Sequence, residues 1–199
     1  MIELTLVRHG ATALNAQRRF QGQSDVPLSD EGRLQAARVA ARLRDEPIER
    51  IYTSDLQRAV QTARAIAAPH GLDPSKDERL REFAFGAWEG LTWAEILAAR
   101  PHLSEANWHH AQLYAPEGGE NFDAVCARVR SFCEELLAAR ESRRVAAVTH
   151  AGTLHALLRV LDLPESQQAV PVNFFPASIT RVRNDGRHWQ LIDGPTVPP

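Results

Sequence analysis

Two imidazoles and two guanidiniums stand at points where this chain changes from structure-forming residues to loop. "LVRHG" places Arg8 and His9 directly behind the β-formers Leu4, Thr5, Leu6 and Val7, and "RVAAVTHAG" places His150 behind another such run. Arg58 opens the helical pattern of "SDLQRAVQTA". A guanidinium fork matches phosphate or carboxylate through two parallel hydrogen bonds, so arginines gathered at a site point to a planar anion. A neutral imidazole aimed among them is a nucleophile candidate, and phosphorus is the electrophile that fits. The transfer also needs an acid to protonate the leaving oxygen. "LREFAFGAWEG" supplies Glu82 between hydrophobic neighbours, a setting expected to keep a proton available.

These residues are far apart in the chain, so the elements that carry them must bring them together. The sequence predicts a first strand over Glu3–Val7 and a Gln/Gly/Pro-rich loop, "QRRFQGQSDVPLS". A helix capped by Ser29 follows, with Leu34, Ala37, Ala41 and Leu43 on its buried face. A short strand near Arg50–Thr53 leads to a helix capped by Ser54 or Asp55 and closed by Pro69 and Gly71. Residues 80 to 117 read as helical and aromatic, with Trp88, Trp93 and Trp108, and a long helix begins after Gly119. "RVAAVTH" is a third buried strand, followed directly by a helix whose first amides suit phosphate. "SITRVRNDGRHWQLID" reads as two strands joined through the hairpin signal "NDG". The expected fold class is α/β: a single-domain three-layer α/β/α sandwich on a mostly parallel sheet, with residues 80–117 as a helical cap insertion over the active site. In such sheets ligands meet the C-terminal strand ends, where Arg8, His9, Arg58 and His150 would converge.

Composition narrows the partners. The chain has 199 residues, with 23 Lys plus Arg against 25 Asp plus Glu and a net charge of −2. That balance argues against a nucleic-acid or anionic-membrane surface. No apolar run approaches the roughly 18 residues of a membrane span, and no leader pattern precedes the first strand, so a cytoplasmic location is expected. Cys126 and Cys133 lie on one helix about 10 Å apart along its axis, too far to bridge, and read as buried apolar residues. His109, His110 and His155 lack carboxylate or cysteine partners at ligand spacing, so no metal site is expected.

Four segments in order, "LVRHGAT…N", "SDLQRAVQTA", "LREFAFGAWEG" and "VTHAG", resemble the histidine phosphatase superfamily, in its phosphoglycerate mutase-like branch. The resemblance runs from Leu4 to about Arg159. It implies that His9 accepts the phosphoryl group while Arg8, Arg58 and a protonated His150 hold its oxygens. It implies a hydrogen bond from Asn15, and makes Glu82 the proton donor and then the base for water. Gln21, Gly22 and Ala151 match positions beside the substrate, no metal or other cofactor is implied, and the substrate is a small phosphate monoester. Dimers occur in the family, although no homodimer interface is legible in this sequence.

The superfamily holds both mutases and phosphatases, which differ in what grips the rest of the substrate. Mutases usually place Tyr three residues after the catalytic Glu, then a Lys and an adjacent Arg pair. Here Phe85 and Trp93 stand at the first two places, and Arg100 is the only arginine between Glu82 and Gly118. Aromatics in place of those polar groups predict an apolar mouth and a phosphatase. "FGAWEG" and "PEGGENFDAVCARV" are similar to broad-specificity phosphatases and to α-ribazole phosphatase. Trp88 and Trp93 are expected to pack the cap, with Trp93 near the pocket mouth, and an apolar mouth formed with them is expected to take an apolar, aromatic or nucleoside-like leaving group by stacking. Glu120 matches a position at the pocket rim. A mutase is the second reading. A non-catalytic phosphate-binding module is the reading from another class, which the presence of His9, Glu82 and His150 opposes.

Overall fold

Alternate residues of the central strands face opposite helical layers. The computed structural model describes residues 1–100, 103, 116–139, 144–163 and 173–199. In β1 (Ile2–Arg8), Leu4 and Leu6 point to one face, and Val7 to the other; in β4 (Arg144–Thr149), Val145 and Ala147 oppose Ala146 and Val148 in the same way. The first face packs against α5 (Phe122–Ala139) through Val125, Val129 and Phe132, and against α6 (Ala151–Val160) through Leu154 and Leu157. After the one-turn α1 (Ala13–Ala16), α2 (Asp30–Leu43) and α3 (Gln57–Ala67) cover the second face through Val39, Leu43, Ala59, Ala63 and Ile66. Strands buried on both faces read as nearly continuous apolar runs, which is why "VAAV" holds no polar residue and "LTLV" only the β-branched, buried Thr5.

With β2 (Arg50–Thr53), β3 (Ser75–Lys76), β5 (Ile179–Asn184) and β6 (Trp189–Thr196), the sheet has the order β3-β2-β4-β1-β5-β6. The pairings β3–β2, β2–β4 and β4–β1 are parallel, and the C-terminal hairpin adds β5 and β6 antiparallel. This is the expected mostly parallel α/β sheet. The two-residue β3 had no legible signal, since a bridge that short carries no periodicity.

Local expectations fared unevenly. Ser29 caps α2, its side chain accepting from the Gly32 amide. The buried face of α2, however, is Gly32, Ala36, Val39 and Leu43; Leu34 is 57% exposed, and Ala37 and Ala41 also face solvent. The reason is backbone contact at the first turn. A Cβ on Gly32 would stand 1.9 Å from the Ala11 carbonyl oxygen, so this helix is docked by its glycine, and the glycine sets the face. Neither Ser54 nor Asp55 caps α3; its first amide, on Gln57, donates to Asp25 Oδ1 at 2.6 Å. Asp55 instead accepts from Arg81 Nε at 2.8 Å, one residue before Glu82. Cys126 and Cys133 are unbridged, and only Cys133 is fully buried.

The expected cap segment is helical in pieces: 3-10 turns at Glu78–Leu80 and Gly86–Trp88, and a short helix α4 (Trp93–Ala99). Trp108, His109 and His110 lie outside the described residues. No described helix is long and apolar enough to cross a membrane.

Candidate active site

Register in the parallel pair β1–β4 decides the centre of the site. Arg8 lies opposite Thr149, so the next residues, His9 and His150, leave the sheet side by side with ring centroids 5.0 Å apart. Both rings are buried, at 2% and 0% exposure. Gly10 then turns the chain against α2, where a Cβ would meet the Gly32 carbonyl oxygen at 2.4 Å. A side chain at position 10 would push the imidazole-bearing turn away from the helix.

Hydrogen bonds assign the tautomers. His9 Nδ1 donates to the Gly10 carbonyl at 2.7 Å, which leaves Nε2 with its lone pair. His150 Nδ1 accepts from Arg58 Nε at 3.2 Å, so its hydrogen is on Nε2, a buried atom with no hydrogen-bond partner among the described residues. Burial, then the Arg58 guanidinium beside them, hold both imidazoles well below the usual histidine range. The expected protonated His150 is therefore corrected. Arg58 delivers a donor to the very nitrogen that a second proton would occupy, and burial opposes the added charge.

The two guanidiniums are themselves deeply placed. Arg58 donates to the Gly22 carbonyl at 2.7 Å and the Ser24 carbonyl at 2.8 Å, besides His150. One hydrogen on each terminal nitrogen is left for a ligand. Arg8 donates to the Phe174 carbonyl, and its Nε is buried without a partner among the described residues. Burial lowers both guanidinium pKa values, and the nearby Glu82 carboxylate works against that trend.

Glu82 is differently housed from the sequence expectation. Its oxygens accept from the amides of Phe83 at 3.0 Å, Gly152 at 3.1 Å and Thr153 at 3.2 Å. The carboxylate thus occupies the N-terminus of α6, the amides that the sequence reading reserved for phosphate, and its surroundings are polar. A Cβ on Gly152 would lie 2.5 Å from Glu82 Oε1 and 2.7 Å from the Phe83 ring. The absence of a side chain there is what admits the carboxylate.

These groups border one cavity of about 340 Å³, lined by Arg8, His9, Asn15, Gln21, Gly22, Arg58, Glu82, Phe85 and Ala151 among others. Asn15 Oδ1 accepts from the Thr12 backbone amide, and Gln21 Oε1 accepts from the Thr12 hydroxyl. Their NH₂ groups remain as donors towards the cavity. His150 is fully buried directly beside His9. Trp93 is also set back, edge-on to Trp88 and beside Phe20, and does not line the cavity. The aromatic wall is Phe20, Phe83, Phe85 and Trp88 instead. Phe20, from the loop before Gln21, packs beside Trp93 and lines the cavity where Trp93 was expected. Arg19 and His155 also border the cavity, as does Glu120, which pairs with Arg128 and accepts from the Ala84 amide. Phe20 was missed, although an aromatic inside an otherwise polar loop was a usable signal. Among the described residues no three His, Cys, Asp or Glu side chains gather as metal ligands.

Comparison with known proteins agrees with this geometry. A model of the histidine phosphatase superfamily (branch 1) matches residues 4–193. The chain is 39% identical over 158 residues to phosphoglycerate mutase-like protein 4 of Arabidopsis thaliana, covering 78% of this chain and 69% of that one. It is 37% identical over 195 residues to glucosyl-3-phosphoglycerate phosphatase of Mycobacterium tuberculosis, covering 94% and 86%. The mycobacterial glucosyl-3-phosphoglycerate phosphatase solved with VO3 superposes with a TM-score of 0.88 at 35% identity, covering 98% of this chain and 100% of that one. α-Ribazole phosphatase from Shigella flexneri superposes with a TM-score of 0.84 at 26% identity, covering 98% and 96%. The chain also spans 43% of the length of a bifunctional protein of Mycobacterium tuberculosis. Family match, shared fold and the pairing of His9 with His150 at the ends of adjacent parallel strands lead to one conclusion: this chain belongs to branch 1 of the histidine phosphatase superfamily.

Proposed function

We propose that this chain, a histidine phosphatase-type hydrolase, is a metal-independent phosphomonoesterase that works through a phosphohistidine at His9. The observation that carries the proposal is the His9 tautomer. Its Nδ1 hydrogen is held by Gly10, so the Nε2 lone pair is available in a cavity bordered by Arg8 and Arg58. In the first step Nε2 attacks phosphorus, the bond to the leaving oxygen breaks, and Glu82, which must carry a proton in the substrate complex, gives it to that oxygen. In the second, water attacks the phosphohistidine, Glu82 takes the water's proton, and the P–N bond breaks to release inorganic phosphate. Free hydrogens of Arg58, Arg8 Nε, the His150 Nε2–H and the amides of Asn15 and Gln21 receive the phosphoryl oxygens. His150 acts as a neutral donor. Residues about 80–117 serve as a cap whose Phe85 and Trp88, with Phe20, receive an apolar or aromatic leaving group by stacking.

A second reading, a sugar-acid ester such as glucosyl-3-phosphoglycerate, is favoured by the mycobacterial relatives and by Arg19 and His155 at the rim. An α-ribazole phosphate ester is the nucleoside-like case of the aromatic reading.

The test is a phosphorus NMR time course on p-nitrophenyl phosphate, α-ribazole phosphate, glucosyl-3-phosphoglycerate, and 3-phosphoglycerate with 2,3-bisphosphoglycerate, with and without EDTA. Inorganic phosphate, no 2-phosphoglycerate, insensitivity to EDTA and loss of turnover in His9→Ala are expected. Formation of 2-phosphoglycerate would replace the phosphatase reading with a mutase. Equal inactivity of wild type and His9→Ala, both binding phosphate, would make the chain a binding module. The ranking of kcat/KM between aryl and sugar-acid esters decides the leaving group.

A further inference from the structure

Arg58 is held by backbone carbonyls, and a carbonyl can hold a guanidinium in place only if the loop that carries it is itself fixed. Those carbonyls belong to Gly22 and Ser24, at 2.7 and 2.8 Å from the two terminal nitrogens. Gly22 has φ +52°, a left-handed conformation that an isolated loop would hold weakly. Besides a turn bond from the Ser24 amide to the Gln21 carbonyl and one from the Gln23 side chain to the Glu82 carbonyl, the loop is held by a half-buried carboxylate that the proposed mechanism does not use, that of Glu89. Its Oε1 accepts from the Gln23 amide at 2.9 Å, and its Oε2 from the Ser24 amide at 2.9 Å and the Ser24 hydroxyl at 2.6 Å. Oε1 also accepts from the Phe85 amide at 3.2 Å. The fit is close enough that a Cβ on Gly22 would stand 2.1 Å from Glu89 Oε1.

We infer that Glu89 is a positioning residue for phosphate binding: it clamps the Gly22–Ser24 loop, whose carbonyls aim the Arg58 guanidinium. The inference rests on the reading of Arg58 as part of the phosphate grip. The same carboxylate ties that grip to Phe85 in the aromatic wall, so leaving-group wall and phosphate floor share one anchor. Charge matters as much as shape here. Four donors converge on two oxygens, and an amide in place of the carboxylate would turn an NH₂ group towards N–H donors.

The experiment is calorimetric titration of the whole chain with inorganic phosphate, for wild type, Glu89→Gln, Arg58→Met and the double variant. Arg58→Met keeps the apolar stem and removes the fork. Glu89→Gln is expected to weaken phosphate binding about tenfold in the wild-type background. In the Arg58→Met background it should change binding less than about threefold, because its effect passes through the guanidinium. Glu89→Asp, which keeps the charge, should recover part of the loss. A residue that only stabilised the fold would lower the melting temperature and the bound fraction, leaving Kd unchanged. If Glu89→Gln does not fold, Ser24→Ala removes one donor to the carboxylate, and a two- to threefold weakening that vanishes with Arg58→Met is expected on the same grounds.

Wild-type affinity in Glu89→Gln, or in Ser24→Ala where that variant stands in, overturns the inference while Arg58→Met still weakens binding. Additive losses overturn it as well. Undiminished affinity in Arg58→Met would remove Arg58 from the grip, and the inference would fall with that reading.

Discussion

Gly152→Ala isolates the placement of Glu82 from the stability of the helix that holds it. An alanine at this position would gain up to about 1 kcal/mol of helix propensity over glycine. Against that, its Cβ would stand 2.5 Å from Glu82 Oε1 and 2.7 Å from Phe83, a ring only 8% exposed and stacked between Phe85 and Phe122. Overpacking of this kind costs about 1–3 kcal/mol. The net is a loss of about 1 kcal/mol, or about 2–4 °C in melting temperature for a chain of this size. The Glu82 carboxylate is the more mobile partner, so it gives way and leaves the Gly152 and Thr153 amides. General acid catalysis is worth roughly a hundredfold or more, so kcat/KM on an alkyl phosphate, which reports the first transfer and not the shared hydrolysis of the phosphohistidine, should fall by at least that factor. On p-nitrophenyl phosphate, whose leaving group needs little protonation, the loss should stay below about tenfold. Steady-state kinetics on the two esters, beside Glu82→Gln, checks this, and the double variant should be no worse than Glu82→Gln alone. Equal losses on both esters, or an additive double variant, would refute the assignment of Gly152 to the acid's placement and of Glu82 to the acid role.

Other outcomes follow from the buried imidazoles and the aromatic wall. His9 and His150 stay neutral in the folded chain, whereas in the unfolded chain they take up protons as pH falls through about 6.5. Their folded values are depressed, so their contribution to stability is complete above that pH and is lost below it. With both sites titrating, the loss approaches about 2.7 kcal/mol per pH unit. Denaturant melts between pH 7.5 and 5 should show it, with burial of His155 adding in the same direction, and His150→Asn should lower the slope by up to about 1.4 kcal/mol per pH unit; a flat profile would mean that the folded imidazoles take up protons as readily as the unfolded ones. In the cavity, Phe20→Ala should raise KM for aryl phosphates several-fold while Trp93→Ala leaves it near wild type, as kinetics on a naphthyl ester can read. The reverse order would restore Trp93 to the mouth.

Much of this protein was legible before folding, because it depends on residue type and local order. Strands buried on both faces must be nearly continuously apolar, so "LTLV" and "VAAV" announced themselves, and so did the polar residues that end them. The same locality made Ser29 a readable cap and "NDG" a readable turn. Tertiary structure decided what depends on contacts between distant segments. The buried face of α2 follows Gly32 because a backbone approaches it from Ala11, and no periodicity within the helix encodes that neighbour. The cap of α3 comes from Asp25, the wall aromatic from Phe20, and the anchor of the Gly22–Ser24 loop from Glu89. Protonation belongs to the same class: a sequence lists histidines, but only packing puts Arg58 Nε against His150 Nδ1, and only the folded turn aims the carbonyl of the neighbouring Gly10 at His9 Nδ1. Which groups could meet phosphate was written in their chemistry; which hydrogen each of them carries was settled by the partners that folding brought within 3 Å or so.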